Sequence, residues 1–252
     1  MAYSDIKDPS AHFQTKTYTG TNNSNALTND GNSDLKPDFI WIKRRDSNNG
    51  HQLLDSTRGV DKILGSELNS AETTLANRLS SFDTDGFTVE SSSGAFNASG
   101  EPFVAWQWKA NGGTTSSNTT GTITSTVQAN TDAGFSIVTW AGTASTATIG
   151  HGLGVAPKVV LVRARDKNVP TSWIMFHKDG STSDDDYLIL QGTFAKNSQA
   201  GLWNNQYPSS TVFGIANDFW VNSASTNYLA YCFAEKQGYS KFGKYVGNGN
   251  AN

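Results

Sequence analysis

The chain has 252 residues, of which 36% are hydrophobic, 11% aromatic and only 16% charged, with 24 glycines and seven tryptophans. A composition so rich in aromatics and poor in charge excludes a disordered chain, and a formal charge of −3 excludes the broad basic stripe of a nucleic-acid-binding protein. A single cysteine, Cys232, excludes an intramolecular disulfide and a cysteine-based zinc site.

The opening residues, Met1-Ala-Tyr-Ser-Asp-Ile6, carry no basic segment followed by an apolar stretch, so no secretory signal is expected. No apolar run approaches the ~18 residues of a membrane span. Residues 1–12 read as an N-terminal arm. A first strand is expected at Phe13-Gln-Thr-Lys-Thr-Tyr18. Phe39-Ile-Trp-Ile-Lys43, introduced by Pro37, is apolar on consecutive residues, as in a strand covered on both faces. The Lys43-Arg44-Arg45 run reads as a solvated strand end. His51 and Asp55 lie four apart, which puts them on one face of a strand. An acid–base pair is one reading and a surface hydrogen bond the preferred one. The segment Asn69 to Leu79, with Ser70 as cap and Glu72 in the first turn, is the best helical candidate and reads equally as a loop. Phe82, Asp83-Thr-Asp-Gly86 and Phe87-Thr-Val89 predict two strands joined by a turn. Asp83-x-Asp85-Gly86 resembles part of a calcium loop but lacks its full ligand spacing, as does Asp184-Asp185-Asp186, so no metal site is assigned. Phe103 to Trp108 is apolar on both alternating sets and predicts a deeply placed strand. Asn111-Gly-Gly-Thr-Thr-Ser-Ser-Asn-Thr-Thr-Gly121 cannot bury apolar area and predicts a flexible or extended linker.

The second half repeats the first. Phe13-Gln-Thr-Lys-Thr-Tyr18-Thr-Gly20 matches Phe135-Ser-Ile-Val-Thr-Trp140-Ala-Gly142. Pro37 to Asp46 matches Pro157 to Asp166, and His51 to Asp55 matches Trp173 to His177. Asn97 to Trp108 matches Asn222 to Phe233. Four collinear blocks at nearly constant spacing mark an internal duplication. The expected organisation is an arm over 1–12, a first β-sandwich over 13–110, a linker over 111–121 and a second β-sandwich over 122–237. Gly238 to Gly247 resembles the opening block once more, so 238–252 reads as the start of a third repeat or a closing strand. The fold class expected is all-β, two tandem antiparallel β-sandwiches of jelly-roll or lectin-like type. The strands are short and closely spaced, and the crossover helices of a parallel sheet are missing.

Catalytic constellations were weighed and none was assigned. No pair among His12, His51, His151 and His177 has metal-ligand spacing. Gly150-His-Gly-Leu-Gly154 lacks the Lys-Ser/Thr and the helix of a phosphate loop and reads as a turn. Cys232 lies in an apolar run and reads as a small buried hydrophobe. Trp41, Trp106 and Trp108 sit in apolar strands and read as core. Trp203 and Trp220 lie in polar surroundings and are the candidates for stacking on a sugar. No catalytic, cofactor or metal residues are assigned, and no cofactor is expected.

The blocks Pro37-Asp-Phe-Ile-Trp-Ile-Lys43, His51-Gln-Leu-Leu-Asp-Ser-Thr-Arg-Gly59, Ser81-Phe-Asp-Thr-Asp-Gly-Phe87, Phe103-Val-Ala-Trp-Gln-Trp-Lys109 and Ala147-Thr-Ile-Gly-His-Gly-Leu-Gly-Val-Ala-Pro-Lys158 resemble repeats of tail-fibre-like structural proteins of marine bacteriophages, including cyanophages. The resemblance covers nearly the whole chain. It implies a non-enzymatic virion structural protein, the N-terminal part of a tail fibre or appendage, located at the tail or capsid surface. The partners it implies are other virion proteins and further copies of the chain, as in a trimeric fibre, with host-surface glycan as a further partner and neither nucleic acid nor membrane. A capsid decoration protein and a lectin-like glycan-binding module are the alternatives. A polysaccharide depolymerase would need paired carboxylates in a groove.

Overall fold

The computed structural model describes residues 3–90, 93–166 and 172–249. The protein is built of strands: β1 (Phe13–Thr19), β2 (Asn25–Leu27), β3 (Phe39–Arg44), β4 (Gln52–Asp55), β5 (Gly59–Leu64), β6 (Thr73–Thr74), β7 (Leu79–Asp83), β8 (Gly86–Val89) and β9 (Pro102–Trp108), followed by β10 (Ser116–Asn118), β11 (Ser125–Asn130), β12 (Phe135–Ala141), β13 (Ala147–Gly150), β14 (Val159–Ala164), β15 (Ile174–His177), β16 (Asp186–Ile189), β17 (Asn197–Ser198), β18 (Val212–Ile215) and β19 (Asn227–Phe233). Every pair of these strands joined in a ladder runs antiparallel. The architecture is all-β. Among the described residues, no helix is long and apolar enough to cross a membrane.

The strands form a six-stranded sheet in the order β1-β9-β3-β4-β5-β6 and an eight-stranded sheet in the order β10-β11-β12-β19-β14-β15-β16-β17. The run β12-β19-β14-β15-β16-β17 has the strand order of the six-stranded sheet, and in both the last long strand is inserted between the first and the third. Each large sheet is faced by a small one, β2-β8-β7 in the first half and β13-β18 in the second.

Strand alternation explains why these strands are apolar on consecutive residues. In β3, Ile40 and Ile42 point to a core shared with Leu27, Phe87 and Val89 of the small sheet. Phe39 and Trp41 point the other way. In β14, Val160 and Val162 meet Ile149, Phe213 and Ile215, while Val159 and Leu161 face outward from that sandwich. The two outward faces meet. Phe39, Leu53 and Leu64 of the first half share a third core with Phe135, Ile137, Trp173, Leu229 and Tyr231 of the second. The cover that the sequence demanded on the second face of each strand is therefore the other repeat. Phe39 stacks on Tyr231 at 4.2 Å between ring centroids and on Trp108 at 5.1 Å. Burying an aromatic of this kind is worth about 1.5–3 kcal/mol, with roughly a further 0.5–1.5 kcal/mol for ring geometry.

One of the two readings of residues 69–79 is corrected. Residues 69–79 form no helix. Thr73 and Thr74 pair with Ile63 and Lys62 as β6, and the Glu72 amide donates to the carbonyl of Arg165 at 2.9 Å. A helix of barely three turns has little stability of its own, and these tertiary partners pull the segment out straight. The Gly/Ser/Thr-rich 111–121, expected to be flexible or extended, is extended and tied down. Its residues Ser116–Asn118 are β10, the edge of the eight-stranded sheet. At its start, the buried Asp38 carboxylate accepts from the amides of Ala110, Gly112 and Gly113 at 2.7, 2.8 and 2.6 Å. Gly112 and Gly113 have φ of +64° and +86°, a conformation that glycine adopts without a Cβ penalty. Segment 238–249 contributes one isolated bridge, Lys236 to Ser240, and is exposed from Gly243 onward.

Candidate functional site

An apolar concavity of about 350 Å³ lies at the end where the two large sheets meet. Its floor comes from matching positions of the two repeats. Phe13 and Trp108 are cross-strand partners on β1 and β9, and Phe135 and Phe233 are partners on β12 and β19. The ring centroids are 4.9 Å apart in the first pair and 5.0 Å in the second, and Trp108 lies 6.3 Å from Phe233 across the interface. Phe242 packs against Phe233 at 6.0 Å and Tyr239 meets His12 edge-on at 6.2 Å, so segment 238–242 forms the outer wall. Gly134 closes the base. It has φ +72°, and a Cβ there would lie 2.6 Å from the carbonyl oxygen of Ala234.

The polar groups of the cleft sit at its margin. Burial lowers the pKa of His12, which keeps the ring neutral at pH 7. Asn130 Nδ2 donates to His12 Nδ1 at 3.0 Å, so the ring proton is on Nε2. Burial pushes the Tyr239 hydroxyl up to about 12. Ser240 Oγ donates to the carbonyl of Ala234. The lining holds no carboxylate and no thiol. What this arrangement can do chemically is accept an apolar ring or side chain, with hydrogen-bond donors at the rim.

The strongest electrostatic cluster is elsewhere, inside the inter-repeat core. Arg58 donates through Nε to Asp55 at 2.6 Å, through Nη1 to Glu72 at 2.9 Å, and through Nη2 to the Leu53 carbonyl and the Tyr231 hydroxyl. Tyr231 donates to Asp55 at 2.7 Å. Arg165 adds two bonds to Glu72, both at 2.8 Å. Burial alone would depress the pKa of Arg58, but Asp55, Tyr231 and Glu72 together raise it. Burial likewise opposes the Glu72 carboxylate, yet Arg165 and Arg58 hold it below its ordinary value. These charges answer one another across the two repeats, and the cluster is a lock rather than a reaction centre. Nearby, Arg163 is fully buried, donates to the Ser70 carbonyl at 2.5 Å and stands 5.4 Å over the Trp173 ring. Its Nε and Nη1 have no hydrogen-bond partner, and burial brings its pKa down to about 10.

The residues singled out in the sequence are scattered. His51 accepts from the Trp41 indole at 2.7 Å, while Asp55 is bound into the Arg58 cluster, so the two form no pair. His151 is buried, with Nδ1 accepting from the Leu153 amide and Nε2 donating to the Ser209 carbonyl. His177 accepts from the Gly180 amide. Asp85 accepts from the Leu35 amide, and Asp83 accepts from the hydroxyls of Ser81 and Thr88. Asp186 is held by Lys196, Thr182 and Ser183. Cys232 is fully buried and its thiol is pushed up to about 12. Trp203 is a correction. It is 1% exposed, donates to the Asp186 carbonyl at 3.0 Å and packs in the second sandwich, so it cannot stack on a sugar. Its polar sequence neighbours hid that position. Trp220 is partly buried against the same core, next to Tyr187. Among the described residues, no group of three His, Cys, Asp or Glu side chains is gathered to hold a metal ion. The cleft itself was missed. Its signal was present, because Phe13 and Phe135 open their repeat blocks while Trp108 and Phe233 close theirs.

A family model described as a domain of unknown function, DUF7483, matches residues 8–252. The chain belongs to the DUF7483 family. The match spans both sets of strands and the segment after β19, so the DUF7483 unit is the packed pair of repeats together with the outer wall of the cleft. A comparison of this DUF7483 chain with curated proteins and one with solved structures each found no match.

Proposed function

We propose that this protein is a non-enzymatic structural component of a bacteriophage particle, part of a tail fibre or similar appendage. The observation that carries the reading is the coupling of the repeats. Their large sheets share an aromatic core, and the buried Arg58–Asp55 pair bonded to Tyr231, with the partly exposed Glu72–Arg165 pair, ties the two halves into a stiff body instead of two beads on a tether. Stiffness of this kind suits an element that transmits position and load. The resemblance of the repeat blocks to tail-fibre-like proteins supplies the setting. The glycan-binding alternative loses one of its two candidate tryptophans with the burial of Trp203 and keeps the partly buried Trp220.

The test is quantitative mass spectrometry of purified particles from a phage that encodes the chain. A copy number that is a small multiple of the tail symmetry supports the appendage reading. Hundreds of copies per particle would turn the assignment to a capsid decoration protein. Absence from washed particles would remove the structural assignment altogether.

A further inference from the structure

We propose that the aromatic cleft is a self-assembly site, filled by Tyr245 and Val246 of a second copy of the chain. Several observations converge on this end of the molecule. Tyr245 and Val246 are 93% and 89% exposed, and Tyr3, which adjoins Gly238, is 88% exposed. Isolated exposed apolar residues are ordinary, but Tyr245 and Val246 follow closely on Phe242, which lines the apolar concavity, and together they mark a contact surface. The sequence context of Tyr245 supports the same conclusion. Tyr245-Val-Gly247 matches Tyr18-Thr-Gly20 and Trp140-Ala-Gly142. Those counterparts are 8% and 4% exposed, stacked on Phe103 and Tyr228. In both complete repeats, then, the aromatic at this position is buried on another ring. In the segment after Phe242 it is presented to solvent.

Charge agrees. The segment 236–249 carries Lys236, Lys241 and Lys244 and no acidic residue. The depression that adjoins the cleft through His12 is lined by Asp5, Asp8 and Asp132, with Lys7 and Lys236. Lys244 of an incoming segment would arrive beside those carboxylates as Tyr245 enters the aromatic floor. Tyr245 stands three residues after Phe242 in the cleft wall, so two copies can exchange these segments reciprocally. Each then fills the other's cleft, and the contact closes on itself without propagating.

The inference goes beyond the structural role proposed above and is tested on the isolated 252-residue chain. Sedimentation equilibrium over a concentration series is compared for the wild type and for the double variant Tyr245→Ser, Val246→Ser. Both substituted side chains are exposed, so folding is not at risk. The wild type is expected to associate to two or more chains, and the variant to associate at least about tenfold more weakly, a loss of ~1.4 kcal/mol. A photoreactive benzoylphenylalanine in place of Tyr245, in a mixture of isotopically light and heavy chains, is expected to give light–heavy cross-links to peptides carrying Phe13, Phe135 or Phe233. A monomeric wild type, association untouched by the double substitution, or cross-links confined to one chain would each overturn the proposal. None of these outcomes bears on whether the chain is found in particles.

Discussion

Replacing Arg58 with alanine strips a fully buried guanidinium from Asp55, Glu72, the Leu53 carbonyl and the Tyr231 hydroxyl at once. Asp55 keeps the Tyr231 hydroxyl and the backbone amide of residue 58, and Glu72 keeps Arg165. The Asp55 carboxylate then lies in the inter-repeat core without its cation. Breaking a buried pair in this way costs about 3–5 kcal/mol. In a chain of this size each kcal/mol moves the melting temperature by roughly 2–4 °C, so a fall of ~6–20 °C is expected in differential scanning calorimetry. The effect has a pH signature. In the wild type the Glu72 pKa is lowered, so its contribution is present above the ordinary value of 4.5 and lost as pH falls through its folded value. Arg58 is one of the two cations that lower it, so the gap between variant and wild type narrows as pH falls below about 4.5. Because the cluster joins the repeats, one transition should move as a whole. A loss under ~1 kcal/mol, a gap that does not change with pH, or a second transition left at the wild-type temperature would refute the reasoning.

Asp38→Ala removes the acceptor for three amides and the Ser56 hydroxyl. It is expected to cost ~2–3 kcal/mol and to speed proteolytic cleavage within 111–121. Cleavage at the wild-type rate would show that the carboxylate does not hold this segment. Cys232 should resist a thiol reagent at pH 8 in the native state and react at a rate that follows global unfolding as urea is added. Immediate labelling would contradict its burial. Trp203→Ala should lower stability by about 3–5 kcal/mol and Trp220→Ala by less. An unchanged melting temperature for Trp203→Ala, together with a loss of binding on a glycan array, would restore the sugar-contact reading.

The all-β class was legible in the sequence because the apolar blocks, the turn residues and the lack of helix formers agreed. The consecutive apolar residues of Phe39 to Ile42 and of Val159 to Val162 announced strands covered on both faces. What they did not announce was the identity of the second cover, since alternation says how many faces are buried and not against what. Residues 69–79 misled because a cap and an acidic first turn are local signals, whereas the partners of Glu72 are Arg58, on the turn after β4, and Arg165, far along the chain. For 111–121, composition registers the lack of apolar side chains and not the carboxylate that gathers the backbone amides. Trp203 misled for a related reason, as polar neighbours in sequence need not be neighbours in space. The cleft is a product of quaternary-like packing between repeats. Its four floor aromatics are visible in the blocks only once the two sheets are known to face each other.

The most direct test of the structural role is a cryo-EM reconstruction of the intact phage particle with this chain located in the density. The account predicts a stiff two-sandwich unit at the tail, in register with the tail symmetry, with both repeats packed as described and the β1/β12 end in contact with another copy. Density spread over the capsid, or particles with no density for the chain, would contradict it.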